Sequence, residues 1–272
     1  MTHASTPSPQ EVSPGLVVQG IRASLKLSDF KLIAFDMDST LINIECVDEI
    51  ADAAGRKAEV AAITEAAMRG EIADYKESLR QRVALLKGVT VAHMEEVYTR
   101  RLQLNPGAEA LVRACKAAGM KVLLVSGGFT FFTDRIRERL GIDFARSNVL
   151  EVESGPSCGV NPATGRPESG CTPLGGQAQP GSGAILTGRM VDQPWGDICD
   201  GAEKRRTLLE VASLLGIPME QTIAMGDGAN DLPMMGVAGL SVAYHAKPAV
   251  REKAMVAINQ GGLDRLLEVV RH

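Results

Sequence analysis

The chain has 272 residues, which is long enough for one large domain or for a core domain that carries a smaller one. Hydrophobic residues make up 45% and charged residues 23%, an ordinary globular composition that excludes disorder of the whole chain. Acidic residues outnumber basic ones by 33 to 29, so nucleic acid is not an expected partner. No apolar run reaches the roughly 18 residues of a membrane span, and the polar N-terminus does not resemble a secretion signal. We therefore expect a cytoplasmic protein with no membrane partner.

The first predicted elements precede the main domain. Residues 1–29 are expected to form an N-terminal extension, in which the apolar run at 16–21 predicts a short strand. The next apolar run, residues 30–35, is short and nearly continuous. Such a run is typical of a strand that is buried on both faces of a parallel sheet.

The same pattern recurs three times along the chain, and each recurrence follows a segment of helical character. Strands that alternate with helices indicate a doubly wound, Rossmann-like parallel sheet, so we expect the α/β class. The later strands are predicted at residues 120–125, 222–225 and 240–244, and the helices before them at 107–118, 203–215 and 232–238.

A long helical stretch separates the first two strands of the predicted sheet. A parallel crossover needs only about a dozen residues, so residues 46–104 predict a small helical cap domain as well. The core domain would then consist of residues 30–45 and 105–272. Within it, the glycine- and proline-rich residues 154–183 predict a flexible and dispensable insertion in the loop of a hairpin. The strands of this hairpin are predicted at 149–152 and 184–187.

Polar clusters follow three of the predicted strands directly. They are residues 36–40, 126–128 and 226–231. In an open α/β sheet the ligand crevice lies outside the carboxyl ends of the strands. The three clusters are therefore expected to line one site.

The first two clusters each allow a chemical and a structural interpretation. Asp36 and Asp38 suit a nucleophile with a general acid/base, or a site for a hard cation, but they could also cap a helix. Ser126 and Gly127 could bind an anion through a hydroxyl and backbone N–H groups, or could form a tight turn that simply needs glycine.

The third cluster concentrates oxygen ligands in a glycine-rich turn. Asp227, Asn230 and Asp231 offer two carboxylates and an amide, which suit magnesium together with phosphate oxygens. Upstream, Lys204 near a helix start could balance the charge of a phosphoryl group, although a lysine at such a position is usually solvated.

Several other chemistries are poorly matched. The first strand is not followed by the G-x-G-x-x-G motif of dinucleotide-binding proteins, and the nucleotide-binding loop G-x-x-x-x-G-K-[ST] does not occur. The 5 cysteines are scattered without a C-x-x-C pair, so we interpret them as buried or incidental thiols. Phosphoryl transfer through an aspartyl phosphate with Mg²⁺ fits the clusters best.

The order of these motifs resembles the haloacid dehalogenase superfamily. The resemblance rests on residues 36–40, 125–129, Lys204 and 226–231, and it extends over about residues 30–267. Within the superfamily, the motifs and the cap segment 78–83 are most similar to the phosphatases that act on phosphoserine. The resemblance implies hydrolysis of O-phospho-L-serine to L-serine and phosphate, the last step of serine biosynthesis.

The resemblance also implies a role for each residue of the clusters. Asp36 would be the nucleophile, and Asp38 would protonate the leaving oxygen and then activate water. Mg²⁺ would be held by Asp36, the backbone carbonyl of Asp38, and Asp227. The remaining roles are phosphate binding by Ser126, the Gly127 N–H and Lys204, support of the phosphate or metal shell by Asn230, and orientation of Lys204 or of a water in that shell by Asp231.

Four further residues are expected to recognise the rest of the substrate. In the resemblance, Glu45 corresponds to the residue that binds the substrate amine, and Arg82 to the one that binds its carboxylate. Met68 and Tyr75 match apolar positions of the cap that cover the substrate. The expected partner is thus a small phosphomonoester.

Two alternatives stay open at this point. The protein could be a phosphatase or phosphotransferase for another small phosphomonoester. It could instead be an inactive phosphate-binding module, but the joint presence of Asp36, Asp38, Lys204 and Asp227 argues against this.

Overall fold

The computed structural model describes most of the chain. The described residues are 9–21, 24–68, 71–72, 74–154, 183–196 and 198–271. Residues 155–182 lie outside them, so the predicted properties of the glycine- and proline-rich insertion stay a prediction. The side chains of Ala67, Met68 and Arg271 also lie outside the described part.

The described residues form two compact units. The core unit comprises those within Met1–Cys46, Leu102–Val149 and Asp192–His272. The helical unit comprises those within Val47–Arg101 and Leu150–Val191.

Strands and helices alternate through most of the chain. The strands are β1 (Gln10–Ser13), β2 (Leu16–Val18), β3 (Leu25–Lys26), β4 (Leu32–Phe35), β5 (Lys121–Phe129), β6 (Phe144–Asn148), β7 (Leu150–Ser154), β8 (Ala184–Met190), β9 (Thr222–Gly226), β10 (Leu240–Tyr244), β11 (Val256–Ile258) and β12 (Val270–Arg271). The helices are α1 (Cys46–Ala53), α2 (Lys57–Met68), α3 (Tyr75–Ala84), α4 (Val91–Glu96), α5 (Ala108–Ala117), α6 (Thr130–Leu140), α7 (Gly201–Leu214), α8 (Leu232–Met235), α9 (Pro248–Arg251) and α10 (Leu266–Val269).

The core unit is built on an 8-stranded sheet in the order β1-β2-β11-β10-β9-β4-β5-β6. The strands from β11 to β6 pair in parallel, which confirms the predicted α/β class. The short strand predicted within 16–21 is present as β2, which forms an antiparallel hairpin with β1 and pairs with β11. This hairpin satisfies backbone groups that β11 would otherwise leave unpaired at the edge of the sheet.

Burial on both faces explains the continuous apolar runs of the central strands. Every residue of β4 is buried. On one face, Leu32 and Ala34 pack in a cluster with Leu208 and Ala212 of α7. Side chains alternate along a strand, so Ile33 and Phe35 point to the opposite face. Helices α5 and α6 contact β5 but contribute no residue to this cluster.

The helical unit contains the hairpin β7–β8 in addition to the helices that the sequence predicts. The two strands pair antiparallel, as expected. However, Gly88 N donates to Leu186 O and Leu186 N donates to Val89 O, each at 2.8 Å, so the hairpin joins the loop after α3. The sequence assigned 150–191 to the core because hydrogen bonds between distant segments leave no local pattern. Within the described ranges, the helices are too short or too polar to cross a membrane.

Two glycines with the same positive φ angle differ in the space around them, so substitutions there distinguish the cost of a steric clash from the cost of the backbone angle. Gly107, just before α5, and Gly119 both have φ of 78°. A Cβ on Gly107 would lie 2.6 Å from Asp264 N, whereas one on Gly119 would have no atom of the described residues within 4 Å.

We expect Gly107→Ala to lower the free energy of unfolding more than Gly119→Ala does. Both variants incur the cost of a left-handed alanine, about 1–2 kcal/mol. Only Gly107→Ala must also displace the Asp264 backbone, which adds about 1–3 kcal/mol. Urea denaturation of the two variants measures the difference, and equal losses would contradict the steric argument.

Candidate active site

Three neighbouring strands bring the polar clusters together. Strands β9, β4 and β5 lie side by side in the sheet. Asp36 follows the last residue of β4, and its N–H donates to Met225 O of β9 at 2.9 Å. Asp227 directly follows β9, and Ser126 lies within β5. The site therefore forms at the carboxyl ends of these three strands.

The centre of the site is a buried lysine between two carboxylates. Lys204 Nζ lies 2.6 Å from Asp36 Oδ1 and 2.7 Å from Asp231 Oδ1. Lys204 and Asp231 are fully buried and Asp36 is 4% exposed, so Lys204 is not a surface charge. Burial by itself lowers the pKa of Lys204, but Asp231 and Asp36 outweigh it and hold that pKa well above its usual value. The lysine is therefore a fixed positive charge.

Both carboxylate oxygens of Asp231 are held in place, Oδ1 by Lys204 and Oδ2 by the backbone of the turn. Asp231 Oδ2 accepts hydrogen bonds from Asp227 N at 3.1 Å and from Gly228 N at 3.0 Å. The carboxylate lies so close to the end of β9 that a Cβ on Gly226 would be 2.3 Å from Asp231 Cγ. Glycine at this position permits the approach. Asp231 thus fixes the turn and the lysine together.

The loop after Asp36 folds back on itself. Ser39 has φ of 57°, and its N–H donates to Ile44 O at 3.1 Å. Ser39 Oγ donates to Glu45 Oε1 at 2.6 Å. At the start of α1, Cys46 Sγ donates to Asp38 Oδ1 at 3.0 Å. This thiol contact could not be predicted from the sequence, because the cysteines show no recognisable spacing.

The carboxylates of the site are crowded, and their pKa values show it. Burial is the largest cause that raises the pKa of Asp36 well above its usual range, and the charge of Asp231 is the second. Lys204 opposes this shift. For Asp38, burial is the largest cause and the charge of Glu45 the second, and together they raise its pKa to about 7. The hydrogen bond from the Cys46 thiol opposes the shift. Burial and then Asp231 raise the pKa of Asp227 to about 7. A proton or a cation would relieve this repulsion.

The crowded carboxylates also define a candidate metal centre. Ligand oxygens of Asp36, Asp227 and Asp231 lie within 4.8 Å of one another. Asp231 has both oxygens engaged by the protein. By contrast, one oxygen of Asp36 is bonded to Lys204, and one of Asp227 to Thr40 Oγ1. This donor set of hard oxygens fits a divalent cation.

Near the end of β5, residues 126–128 face the acidic groups. Ser126 is fully buried, and its Oγ accepts a hydrogen bond from Gly128 N at 2.8 Å. A Cβ on Gly128 would lie 3.0 Å from Ser126 Oγ and from Asp38 Oδ2, so these groups meet at one point. Asn148, which the sequence did not reveal, donates to Gly127 O at 2.7 Å and accepts from Cys199 N at 2.8 Å. Asn148 thus holds the Gly127 carbonyl in place.

The other predicted residues divide between the two units. Asn230 lies half-buried in the turn Ala229–Asp231, and Glu45 is exposed. Tyr75 and Arg82 lie on α3 in the helical unit, and Met68 ends α2 with its side chain outside the described residues. The roles predicted for all five stay predictions.

Comparison with known proteins identifies the class of this fold and site. The model of the haloacid dehalogenase-like hydrolases matches residues 33–236, so the chain belongs to that family.

Two curated relatives and one solved structure narrow the assignment. The chain is 72% identical to the phosphoserine phosphatase of Polaromonas sp. (strain JS666 / ATCC BAA-500), over 97% of this chain and 99% of the relative. It is 66% identical to that of Albidiferax ferrireducens, over 96% and 98%. A structure of the phospho-aspartyl intermediate analogue of phosphoserine phosphatase is 36% identical, with a TM-score of 0.70, over 89% of this chain and 99% of that one. The predicted resemblance is confirmed, and the protein is grouped with the phosphoserine phosphatases.

The raised pKa of Asp227 makes the stability of the metal-free protein depend on pH. The carboxyl binds its proton more tightly in the folded protein than at the usual pKa of 3.8. Its contribution to stability is therefore complete below about pH 4 and is lost as the pH rises through about 7.

With a chelator present, we expect Asp227→Asn to make the unfolding temperature fall less between about pH 5 and pH 8 than in the unmodified protein. The amide does not titrate, so its share of the pH dependence disappears. Thermal unfolding at both pH values measures the slopes. Excess Mg²⁺ should raise the unfolding temperature more at pH 8, where it competes with fewer protons. Equal slopes for the two proteins would contradict the pKa assignment.

Proposed function

We propose that the enzyme hydrolyses O-phospho-L-serine to L-serine and phosphate through phosphorylation of Asp36. The observation that carries the proposal is the buried Asp36 carboxylate, which is bonded to Lys204 and lies close to the carboxylate oxygens of Asp227 and Asp231. The names of the close relatives and of the phospho-aspartyl analogue support the same reaction.

In the first step, Asp36 attacks phosphorus while the bond to the serine oxygen breaks. Asp36 Oδ1 is bonded to Lys204, which leaves Oδ2 as the attacking oxygen. Lys204 offsets the repulsion between this carboxylate and the phosphate dianion. Asp38 donates a proton to the departing serine oxygen. The covalent intermediate divides one difficult hydrolysis into two easier reactions.

In the second step, water attacks the phosphorus of the aspartyl phosphate. Asp38, now a carboxylate, accepts a proton from that water, and the bond to Asp36 breaks to release phosphate. One group can serve as acid and then as base when its pKa lies near the working pH. The pKa of about 7 for Asp38 suits both roles.

We propose Mg²⁺ as the divalent metal. Asp36, the backbone carbonyl of Asp38, and Asp227 would hold it, and the commitment of both Asp231 oxygens to Lys204 and the turn supports this choice. When bound, the ion supplies positive charge that stabilises the phosphoryl oxygens during transfer.

The phosphoryl oxygens would be bound by Ser126, the Gly127 N–H and Lys204, with Asn230 in support. The rest of the substrate requires an anion for its ammonium and a cation for its carboxylate. Glu45 is suited to the ammonium, because its charge raises the pKa of both Asp38 and Asp227 and it therefore lies near both. The proposed partner of the carboxylate is Arg82, whose guanidinium can form two parallel hydrogen bonds.

The remaining residues of the proposal complete the substrate site. Met68 and Tyr75 are proposed to cover the substrate with apolar surface. A cytoplasmic location stays part of the proposal. A second substrate, another small phosphomonoester, is favoured by no particular observation.

We expect Asp36→Asn to lower phosphate release from phosphoserine by at least about a thousandfold, because an amide cannot act as the attacking carboxylate. Phosphate release in the presence of Mg²⁺ measures the loss, and mass spectrometry excludes deamidation of the new asparagine. Asp134→Asn, an exposed position on α6, is the matched control and should retain full activity. Activity of Asp36→Asn within tenfold of the unmodified enzyme would disprove this nucleophile.

Substrate specificity tests the proposed role of Arg82. Arg82→Ala should raise KM for phosphoserine by about 30-fold or more, which corresponds to about 2 kcal/mol of lost charge pairing. An aryl phosphate, which has no carboxylate, should be hydrolysed almost as before. Arg80→Ala, on the same helix and paired with Glu77, controls for damage to α3. An equal loss with both substrates would point to a damaged helix, and no loss with either would remove Arg82 from the site.

A further inference from the structure

A buried thiol contacts the proposed general acid of the reaction. Cys46, the first residue of α1, is fully buried. Its Sγ donates to Asp38 Oδ1 at 3.0 Å. The reaction described above gives this thiol no part, although it touches the group that must transfer two protons.

The two oxygens of Asp38 have different surroundings. Oδ1 is the partner of the Cys46 thiol. Oδ2 faces the proposed phosphate-binding residues near the end of β5, because a Cβ built on Gly128 would lie 3.0 Å from both Asp38 Oδ2 and Ser126 Oγ. The carboxyl group therefore presents one oxygen to the thiol and the other to the expected position of the phosphoryl group.

This difference decides which oxygen can deliver a proton. The terminal torsion of an aspartate is broad, so its own backbone does not orient its carboxyl group. The backbone N–H and the thiol of Cys46 both bond to the Asp38 carboxyl, and of these two donors only the thiol is removed by a substitution at Cys46. An oxygen that accepts a hydrogen bond from S–H must offer a lone pair. The carbonyl oxygen of a carboxylic acid is a better acceptor than its hydroxyl oxygen, so the thiol favours the form in which the proton is on the other oxygen.

We propose that Cys46 is a positioning residue for Asp38. The thiol keeps Oδ1 as an acceptor, so that Oδ2 carries the proton towards the leaving oxygen of the substrate. This inference rests on the proposed function, because it assumes that Asp38 is the general acid.

The loop between the two residues supports the contact. Ser39, next to Asp38, bonds through its side chain to Glu45, next to Cys46. Its backbone N–H donates to Ile44 O. These two bonds close the loop and hold Asp38 against the start of α1. The alternative is that Cys46 merely fills space as a small buried side chain.

Esters with different leaving groups separate positioning from packing. Serine is a poor leaving group and needs a proton from Asp38, whereas 4-nitrophenolate departs without one. We therefore compare the single-turnover rate of enzyme phosphorylation by phosphoserine with that by 4-nitrophenyl phosphate. The variants are Cys46→Ala, which removes the donor, and Cys46→Ser, which keeps one. Cys115→Ala, at another buried free cysteine, is the control.

With phosphoserine, Cys46→Ala should slow phosphorylation by about 10- to 100-fold, part of the 10²–10⁴-fold that general acid catalysis contributes. With 4-nitrophenyl phosphate, the same variant should stay within about twofold of the unmodified enzyme. Cys46→Ser should recover most of the phosphoserine rate, because its hydroxyl can donate to Oδ1. Equal losses with the two esters, no loss with either, or a serine variant as slow as the alanine variant would each overturn the proposal.

A double-mutant cycle gives a second measurement that does not depend on the choice of ester. When Asp38→Asn is already present, adding Cys46→Ala should slow phosphorylation by phosphoserine no further, because no acid remains to be positioned. A full additional loss would contradict positioning.

Turnover of phosphoserine by the unmodified enzyme is measured first, and its absence would refute the proposed function. The Cys46 comparison would then use the alkyl phosphate that the enzyme does hydrolyse.

Discussion

The ion pairs of Lys204 are the constraint on which the rest of the site depends. A buried ammonium is costly without partners, and here Asp36 and Asp231 provide them. The three residues come from α7, the end of β4 and the turn after β9, so their pairing fixes three separate parts of the chain. Removal of one partner from such a buried pair typically costs about 3–5 kcal/mol, because the other charge is left uncompensated. The charge that suits phosphoryl transfer thus also holds the site together.

One lysine does not neutralise all the acidic groups around it. Asp36, Asp38 and Asp227 keep raised pKa values, and in each case burial is the largest cause. The folded protein therefore maintains carboxylates in an environment that disfavours their charge. Such a cluster binds protons or cations more readily than carboxylates in water do. This unfavourable burial of negative charge is confined to the site, where an incoming phosphate and a divalent ion would add further charge.

Close approaches between backbone and side chains give the site its geometry. Gly226 lets the Asp231 carboxylate lie against β9, and Gly128 leaves room for Asp38 beside Ser126. Asn148 holds the Gly127 carbonyl through a hydrogen bond. Each contact leaves little freedom to the group that it holds. A site of this kind is organised before the substrate arrives, which lowers the cost of reorganisation during the reaction.

The sequence by itself determined the α/β class, the central strands, the clusters at the strand ends and the family, because short apolar runs and local motifs are readable along the chain. Only the tertiary structure decided that β1 and β2 extend the sheet and that the strands β7 and β8 belong with the helical unit. It also distinguished Asp231, whose two carboxylate oxygens both accept hydrogen bonds from the protein, from Asp36 and Asp227. The contacts of Cys46 with Asp38 and of Asn148 with Gly127 were likewise visible only in the structure. These features depend on hydrogen bonds that form when the chain folds back on itself, and such contacts impose no periodicity or spacing on the residues that make them.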